Sequence, residues 1–550
     1  MVNLNNDKPL VLGAALGNCV HVAGLLGFLK LAEQEGYRTQ SLGCAVSVDA
    51  LVAAIRQAQP NMVAVSYRLT PEVGRGLLEE LAARLRAEGL TDRRFVFGGT
   101  EPVAEQARQL GLFDSVFGGD ASMEAVLAYL RNEELGVRLV NTADNLLDRL
   151  LANDGYPLLR HHFGQPTVAA TVEGARQIAE AGVLDVLSLG PDQNAQELFF
   201  HPEQMRSELD GAGGVPLRRA EDLEAIHTAT RCGNYPLLRI YAGTQDLRRW
   251  AELAVATIHN AWGAIPLFWY NRLDGRSPRP LLESIRENQE TMRWYAQRGL
   301  PVECNEAHHW SLREAPDSVA VAAAFLGAYN AKAMGVETYV AQYMFNTPPH
   351  TWPKMDLAKM LAKRALIERL HDASFTSIIQ TRAGLGCFRS DPDEAKGQLA
   401  ASTVVQLALD PQIVHVVGYS EGHHAITAPE LIESCRIVHG AIAQCREGMP
   451  DPTHDPAVTL RRDELLVEAE LTLAAICHLG GDRADPWCDP EVLAQAVKRG
   501  ILDAPHLAGN SEAQGQVVTA TFGGTIRACD PDTGAPITEM RRLDKLLLTP

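Results

Sequence analysis

Ten cysteines are spread over 550 residues, and no two stand as a CxxC pair. A disulfide scaffold, a zinc ribbon and an iron–sulfur centre of the CxxxCxxC type are therefore all unsupported, and a reducing cytoplasm fits best. There is no Lys/Arg-rich run, and 68 acidic side chains face 50 basic ones, for a formal charge of −18. That excludes the electropositive footprint of a nucleic-acid or anionic-membrane binder. Low-complexity sequence is missing too, because 46% apolar and 21% charged residues make an ordinary globular chain. One stretch is nearly free of charge, residues 11–29, but Asn18 and His21 stand in its middle and four glycines interrupt it. These features argue against a leader or a membrane span. No GxGxxG precedes the first helix, and neither HxH nor HExxH occurs, although His161-His162, His308-His309 and His423-His424 form pairs.

What is present first is alternation. Apolar runs at 9–15, 37–42, 62–67, 94–97 and 115–117 read as strands, with amphipathic helices at 23–35, 48–58, 72–88 and 123–130 between and after them. Serial βα units of this kind predict a doubly wound parallel sheet, flavodoxin-like (Rossmann-like), whose ligand binds beyond the carboxyl ends of the strands. The loops expected there read Gly17-Asn18-Cys19-Val20-His21-Val22-Ala23-Gly24, Ser66-Tyr67-Arg68 and Gly98-Gly99-Thr100. Glycines at such places let a large ligand approach the backbone.

This arrangement resembles the cobalamin-binding domain of methionine synthase and the adenosylcobalamin mutases, with its DxHxxG first loop, serine after the third strand and GG pair after the fourth. His21 and Gly24, Ser66, and Gly98-Gly99 match. The resemblance implies that His21 ligates cobalt from below and that the nucleotide tail threads into the domain. It assigns Cys19, His21, Gly24, Ser66, Gly98, Gly99, Phe117 and Gly119 to the cofactor. Cys19 departs from the pattern, since the family has there an Asp that orients the imidazole.

Beyond a linker at 136–165, strands are expected at 184–189, 236–242, 264–270, 301–304, 337–344, 374–381 and 413–417, with an eighth near 167–172. Helices at 247–261, 281–297, 318–333, 354–370 and 429–445 separate or follow them. The repeats predict a (β/α)8 TIM barrel over 166–450, followed by a C-terminal extension, 451–550, that opens on a helix at 464–479. The first domain takes residues 1–135. The barrel resembles the catalytic subunit of glutamate mutase (methylaspartate mutase), with the small subunit fused in front. Arg239 before Gly243-Thr-Gln-Asp246, Tyr270-Asn271, Val302-Glu-Cys-Asn305 and Gly500-Ile-Leu-Asp-Ala-Pro505 carry that likeness in co-linear order. It implies an adenosylcobalamin-dependent carbon-skeleton mutase: a radical isomerase, homodimeric, acting on a small carboxylic or amino acid. Arg239, Tyr270, Glu306, His308 and His309 are the expected substrate contacts. Asp192 stands where the family has an Arg, and an apolar residue near Ala264 replaces its amino-binding Glu, so the substrate is expected to differ from glutamate.

Four other readings compete. Corrinoid-dependent methyl transfer would want a helical cap upstream, and the first strand is expected to begin about eight residues in. A corrinoid carrier would not need polar groups at so many strand ends. Gly418-Tyr-Ser420-Glu-Gly422 matches the GxSxG of serine hydrolases, but the following helix is expected several residues late. Metal hydrolysis would rest on the His pairs, whose members point to opposite faces of a strand.

Overall fold

The computed structural model describes residues 8–119, 121–131, 143–153 and 155–547. They fall into two compact units, Met1–Val140 and Asn141–Pro550. Of the expected linker, 136–165, residues 136–142 and 154 lie outside the described residues.

In the first unit β1 (Leu10–Ala15), β2 (Arg38–Ser41), β3 (Met62–Tyr67), β4 (Arg94–Gly99) and β5 (Ser115–Phe117) form a parallel sheet in the order β2-β1-β3-β4-β5. Every residue of β1 and of β3 is buried, the mark of strands covered by helices on both faces. Connections run to opposite sides of β1, so the crevice of this fold opens where β1 and β3 end. Register sets Ser66 beside Gly98 and Tyr67 beside Gly99. The helix Glu101–Gln109 was not expected; it is short and mostly polar, and Val103, Ala104 and Ala107 give it a narrow buried stripe.

In the second unit β6 (Leu158–Phe163), β7 (Val186–Leu189), β8 (Leu237–Ile240), β9 (Gly263–Ala264), β10 (Val302–Glu303), β11 (Thr338–Phe345), β12 (Thr376–Ala383) and β13 (Ile413–His415) run parallel around a nearly closed barrel. The ends of the order, β8 and β9, meet where the Ala261 N–H donates to Leu238 O at 2.9 Å. The expected strand near 167–172 is a helix instead, Val168–Ala181, whose N-cap Thr167 accepts from the Ala170 N–H. The eighth strand lies earlier, at β6, inside the stretch read as linker. The expected strand at 264–270 pairs only through Gly263–Ala264; the apolar residues after it bury themselves as loop.

The C-terminal extension holds the helices Pro456–Gly480, Pro490–Lys498 and Glu539–Leu547 and a hairpin of β14 (Thr519–Phe522) and β15 (Thr525–Ala528). The long helix packs on the barrel helices Asp317–Ala333 and Pro353–Glu368. A buried ion cluster ties these pieces together: Lys359 Nζ sits 3.1 Å from Asp317 Oδ1 and 3.2 Å from Asp356 Oδ1, and the Ile526 N–H donates to Asp317 Oδ2 at 3.0 Å.

Candidate functional site

Two places concentrate the chemistry, one in each unit. In the first unit a cavity of about 530 Å³ opens at the carboxyl ends of β3, β4 and β5. Gly24, Ser66, Gly98, Gly99, Phe117 and Gly119 all line it. A Cβ on Gly99 would fall 2.5 Å from Tyr67 O and 2.8 Å from the Phe97 ring, so β3 itself requires glycine there. A Cβ on Gly98 would meet no protein atom within 4 Å, because that position faces the cavity. Ser66 is buried, and Arg68, absent from the expected cofactor contacts, also lines the cavity.

His21 lies exposed in the loop between β1 and the helix Ala23–Gln34, and its imidazole makes no hydrogen bond or ion pair within the described residues. Cys19 is wholly buried in the core and does not line the cavity. Its peptide is fixed by a bond from its N–H to Leu16 O (3.0 Å) and one from the Ala45 N–H to its carbonyl (2.9 Å). Beside it, burial raises the Tyr67 phenol above its ordinary value, so that hydroxyl stays protonated and donates to Asn18 Oδ1 at 3.3 Å. No carboxylate hydrogen-bonds His21 among the described residues.

In the second unit the barrel lumen is polar and layered. Arg160 of β6 donates from Nε to Ser188 Oγ (2.7 Å) and from Nη1 to Gln380 Oε1 (2.6 Å) and Glu303 Oε2 (3.2 Å). Arg239 of β8 donates to the same Glu303 oxygen at 2.9 Å, as does Trp262 Nε1 at 2.6 Å. Gln380 Nε2 donates to Glu303 Oε1 (3.1 Å) and Gln342 Oε1 (3.2 Å). Arg160, Arg239, Glu303 and Gln380 are fully buried. Burial pushes the Glu303 carboxyl up, but the two guanidiniums outweigh it and hold the group well below the usual carboxylate range.

Above this layer sits His162. Its Nε2 accepts from Arg160 Nη2 at 2.9 Å and lies 3.4 Å from Arg239 Nη1. Guanidinium only donates, so Nε2 carries no proton, and the Nδ1–H faces the Tyr241 hydroxyl at 3.2 Å. Burial, and then the charge of Arg160, keep this imidazole far below its ordinary pKa. His415 packs edge-on at 4.4 Å and is held far below its ordinary pKa by burial and then by the charge of Arg382. Arg382 stands two residues beyond Gln380 on β12, hence on the same lumenal face, in register with His415.

Of the expected substrate contacts, Arg239 is in this lumen, and His308 reaches it through a 3.3 Å bond between its Nδ1 and Gln342 Nε2. Burial, and then Arg382, bring His308 down to about 3. His309 stacks on His308 at 4.3 Å and tilts against Trp269 at 5.5 Å, part of an aromatic wall. Tyr270 joins that wall at a positive φ of 69°, its ring under Arg276 at 4.6 Å, and burial pushes its phenol up to about 12. Glu306 Oε1 clamps the loop after β9, accepting from the N–H groups of Leu267 and Phe268, while Oε2 is buried without a partner. Burial, only partly offset by those amides, raises this carboxyl to about 7.

Asp192 also clasps a loop: it caps the helix Gln193–Leu198 through the Ala195 N–H (2.7 Å) and is gripped by Arg218. Ser420 is no nucleophile elbow. Its Oγ has no partner, and the next helix begins only at Ala428. The neighbouring Glu421 Oε2 accepts from the Gly418 N–H (2.6 Å) and pairs with His161 Nε2 (3.0 Å). Among the described residues no three His, Cys, Asp or Glu side chains cluster to hold a metal ion, and no helix is long and apolar enough to cross a membrane.

The model of the B12 binding domain matches residues 9–128. No curated protein matches the chain. Among solved structures, a novel cobalamin-binding protein from Desulfitobacterium hafniense DCB-2 is 23% identical over 22% of this chain and 56% of its own, with a TM-score of 0.20. The cobalamin-dependent S-adenosylmethionine radical enzyme OxsB is 11% identical over 80% of this chain and 56% of its own, with a TM-score of 0.18. The first unit is thus a B12-binding domain, and its cavity fits that assignment. A glycine-walled, largely apolar cleft with aromatic rings beside it accepts a flat base, and an exposed imidazole without internal bonds is free to ligate.

Proposed function

We propose that the chain is an adenosylcobalamin-dependent carbon-skeleton mutase of the glutamate mutase type, with the cofactor held by the first unit and a small carboxylic acid held by the barrel. The observation that carries the cofactor half is the meeting of Gly24, Ser66, Gly98, Gly99 and Phe117 at one cavity, with His21 in the loop that leads to Gly24. The polar lumen supports the substrate half, because arginines anchored on a buried carboxylate are a preformed grip for an anion.

His21 would hold the cobalt, and Ser66 with Gly98 and Gly99 would hold the nucleotide tail. When bound, the cofactor supplies hydrogen abstraction through its weak cobalt–carbon bond, chemistry that side chains lack. The chain's own groups bind and orient. Arg160 and Arg239 are fixed by Glu303 before any substrate arrives, so their direction costs little at binding. With His162 Nδ1–H directed at the Tyr241 oxygen, the Tyr241 proton is free to be donated into the lumen. The buried walls keep water from whatever the lumen holds.

The test is the visible spectrum of the full chain loaded with adenosylcobalamin, with and without His21→Ala. The reading expects a histidine-ligated spectrum that the substitution abolishes. Stopped-flow absorbance of the loaded protein mixed with small carboxylic acids then checks the mutase half. Identical spectra for both proteins would overturn the first half. Methyl transfer from methylcobalamin, with no absorbance change for any acid, would overturn the second.

A further inference from the structure

The lumen has more positive charge than it can match. Arg160, Arg239 and Arg382 share it with two carboxylates, Glu303 inside and Glu421 at the carboxyl ends of the strands. Both carboxylates are already engaged. Glu303 accepts from Arg160, Arg239, Trp262 and Gln380, and Glu421 accepts from the Gly418 N–H and His161. Arg382 has no ion pair among the described residues, and its Nε is buried without a hydrogen-bond partner. Arg239 Nε, on a fully buried side chain, is likewise unpartnered. Two buried donors thus stand without a partner, and at least one positive charge of the three guanidiniums stands unmatched among the described residues. Glu306 does not offset the excess: its Oε1 accepts the Leu267 and Phe268 amides, its Oε2 is buried without reaching any of the three guanidiniums, and burial raises the carboxyl to about 7.

An ammonium group brought here would lose its water, find no counter-ion and meet three guanidiniums. A carboxylate would meet open donors and neutralise the excess. We infer that the barrel takes a small carboxylic acid that carries no ammonium group, with Arg382 as the residue that completes its grip. The inference rests on the reading of the barrel as the substrate-holding unit.

Three five-carbon probes differing only in charged groups test it: glutarate, L-glutamate and 5-aminopentanoate. Each is titrated calorimetrically into the full chain with adenosylcobalamin present, in the wild type and in Arg382→Gln. Removal of Arg382 bares no carboxylate, so the variant is expected to fold. Glutarate is expected to bind at least about tenfold tighter than glutamate, with 5-aminopentanoate weakest. Arg382→Gln is expected to weaken glutarate by about tenfold or more and to level the series. Glutamate binding as tightly as glutarate, an unchanged glutarate affinity in the variant, or no binding by any probe would each overturn the inference. Its failure is separable from that of the cofactor reading. An inverted order with the His21-dependent spectrum intact condemns only the substrate class, whereas loss of that spectrum leaves the order of affinities to stand by itself.

Discussion

Replacing Glu303 with Gln keeps the shape of the side chain and removes its charge. The carboxylate is fully buried and receives four side chains: Arg160, Arg239, Trp262 and Gln380. Without it two guanidiniums remain buried against each other. Breaking a buried ion pair from one side costs about 3–5 kcal/mol, because the partner charge is left without compensation. Urea unfolding followed by tryptophan fluorescence reads this cleanly, since all seven tryptophans, Trp250 to Trp487, belong to the second unit. A triple variant, Arg160→Met, Arg239→Met and Glu303→Leu, leaves no bare charge and is expected to regain most of the loss. The sign with pH follows from the depressed carboxyl. Its stabilisation is present above the unfolded value, about 4.3, and is lost only as pH falls through the much lower folded value. The gap between wild type and Glu303→Gln should therefore be flat from pH 8 to about pH 5. A loss below about 1 kcal/mol, or a gap that closes near neutrality, would refute the assignment of Glu303 as the counter-ion of both arginines.

Glu306 is the opposite case: its carboxyl is raised to about 7, so its contribution is full below the unfolded value of about 4.3 and is lost as pH rises through 7. Glu306→Gln should be more stable than wild type by about 3 kcal/mol at pH 8 and equal to it near pH 4, as equilibrium unfolding at the two pH values will tell. Lys363 is buried, with Met360 Sδ at 3.8 Å as the one hydrogen-bond partner of its Nζ among the described residues, and burial, then Lys359, bring it down to about 7. The unfolded chain binds the extra proton between pH 7 and about 10.4, so this group makes stability rise with pH across that window. Lys363→Met should remove the rise and add about 3–5 kcal/mol at pH 7, measured as the difference between the two proteins. In the first unit Gly98→Leu should keep the circular-dichroism melting curve and lose cobalamin binding, whereas Gly99→Ala should lower the melting temperature itself, because its Cβ collides with Tyr67 O. Equal effects of the two on melting would contradict the placement of the cavity.

The first unit was legible because its strands announce themselves. A run such as Met62–Tyr67 is apolar throughout, and the site sits at strand ends where glycines and a histidine break the pattern. The barrel was less so, and the failures share a cause. β6 carries Arg160 and His162 on its lumenal side, which makes Leu158–Phe163 read as a polar connection. The run after Gly263–Ala264 is apolar, yet its residues bury themselves around the Glu306 clamp as loop, so hydrophobicity alone overstated the strand. Glu303 was visible only as part of Val302-Glu-Cys-Asn305, and nothing in spacing tells a lumenal carboxylate from a loop one. The usable signal was a charge inside an otherwise apolar strand, at Arg160, Arg239 and Glu303 together. Ionised groups are almost never fully buried unless paired, and three such residues in one barrel predict one another.

That pairing also bears on why the lumen is polar at all. An apolar filling would satisfy the barrel equally well, since buried ion pairs seldom exceed a hydrophobic replacement in stability. Arg160, Glu303 and Arg239 therefore represent stability given up, and such concessions gather where a ligand is handled. The arrangement divides the work among the arginines. Arg160 and Arg239 are immobilised by a carboxylate they share, which fixes direction but spends part of their hydrogen-bonding capacity inside the protein. Arg382, near the carboxyl end of β12 and without an ion pair among the described residues, keeps its buried Nε unpartnered. On the proposed reading, rigid donors below and an unpartnered one above would form a grip oriented before the ligand arrives and completed only when it does, which is where binding energy can be turned toward positioning rather than ordering.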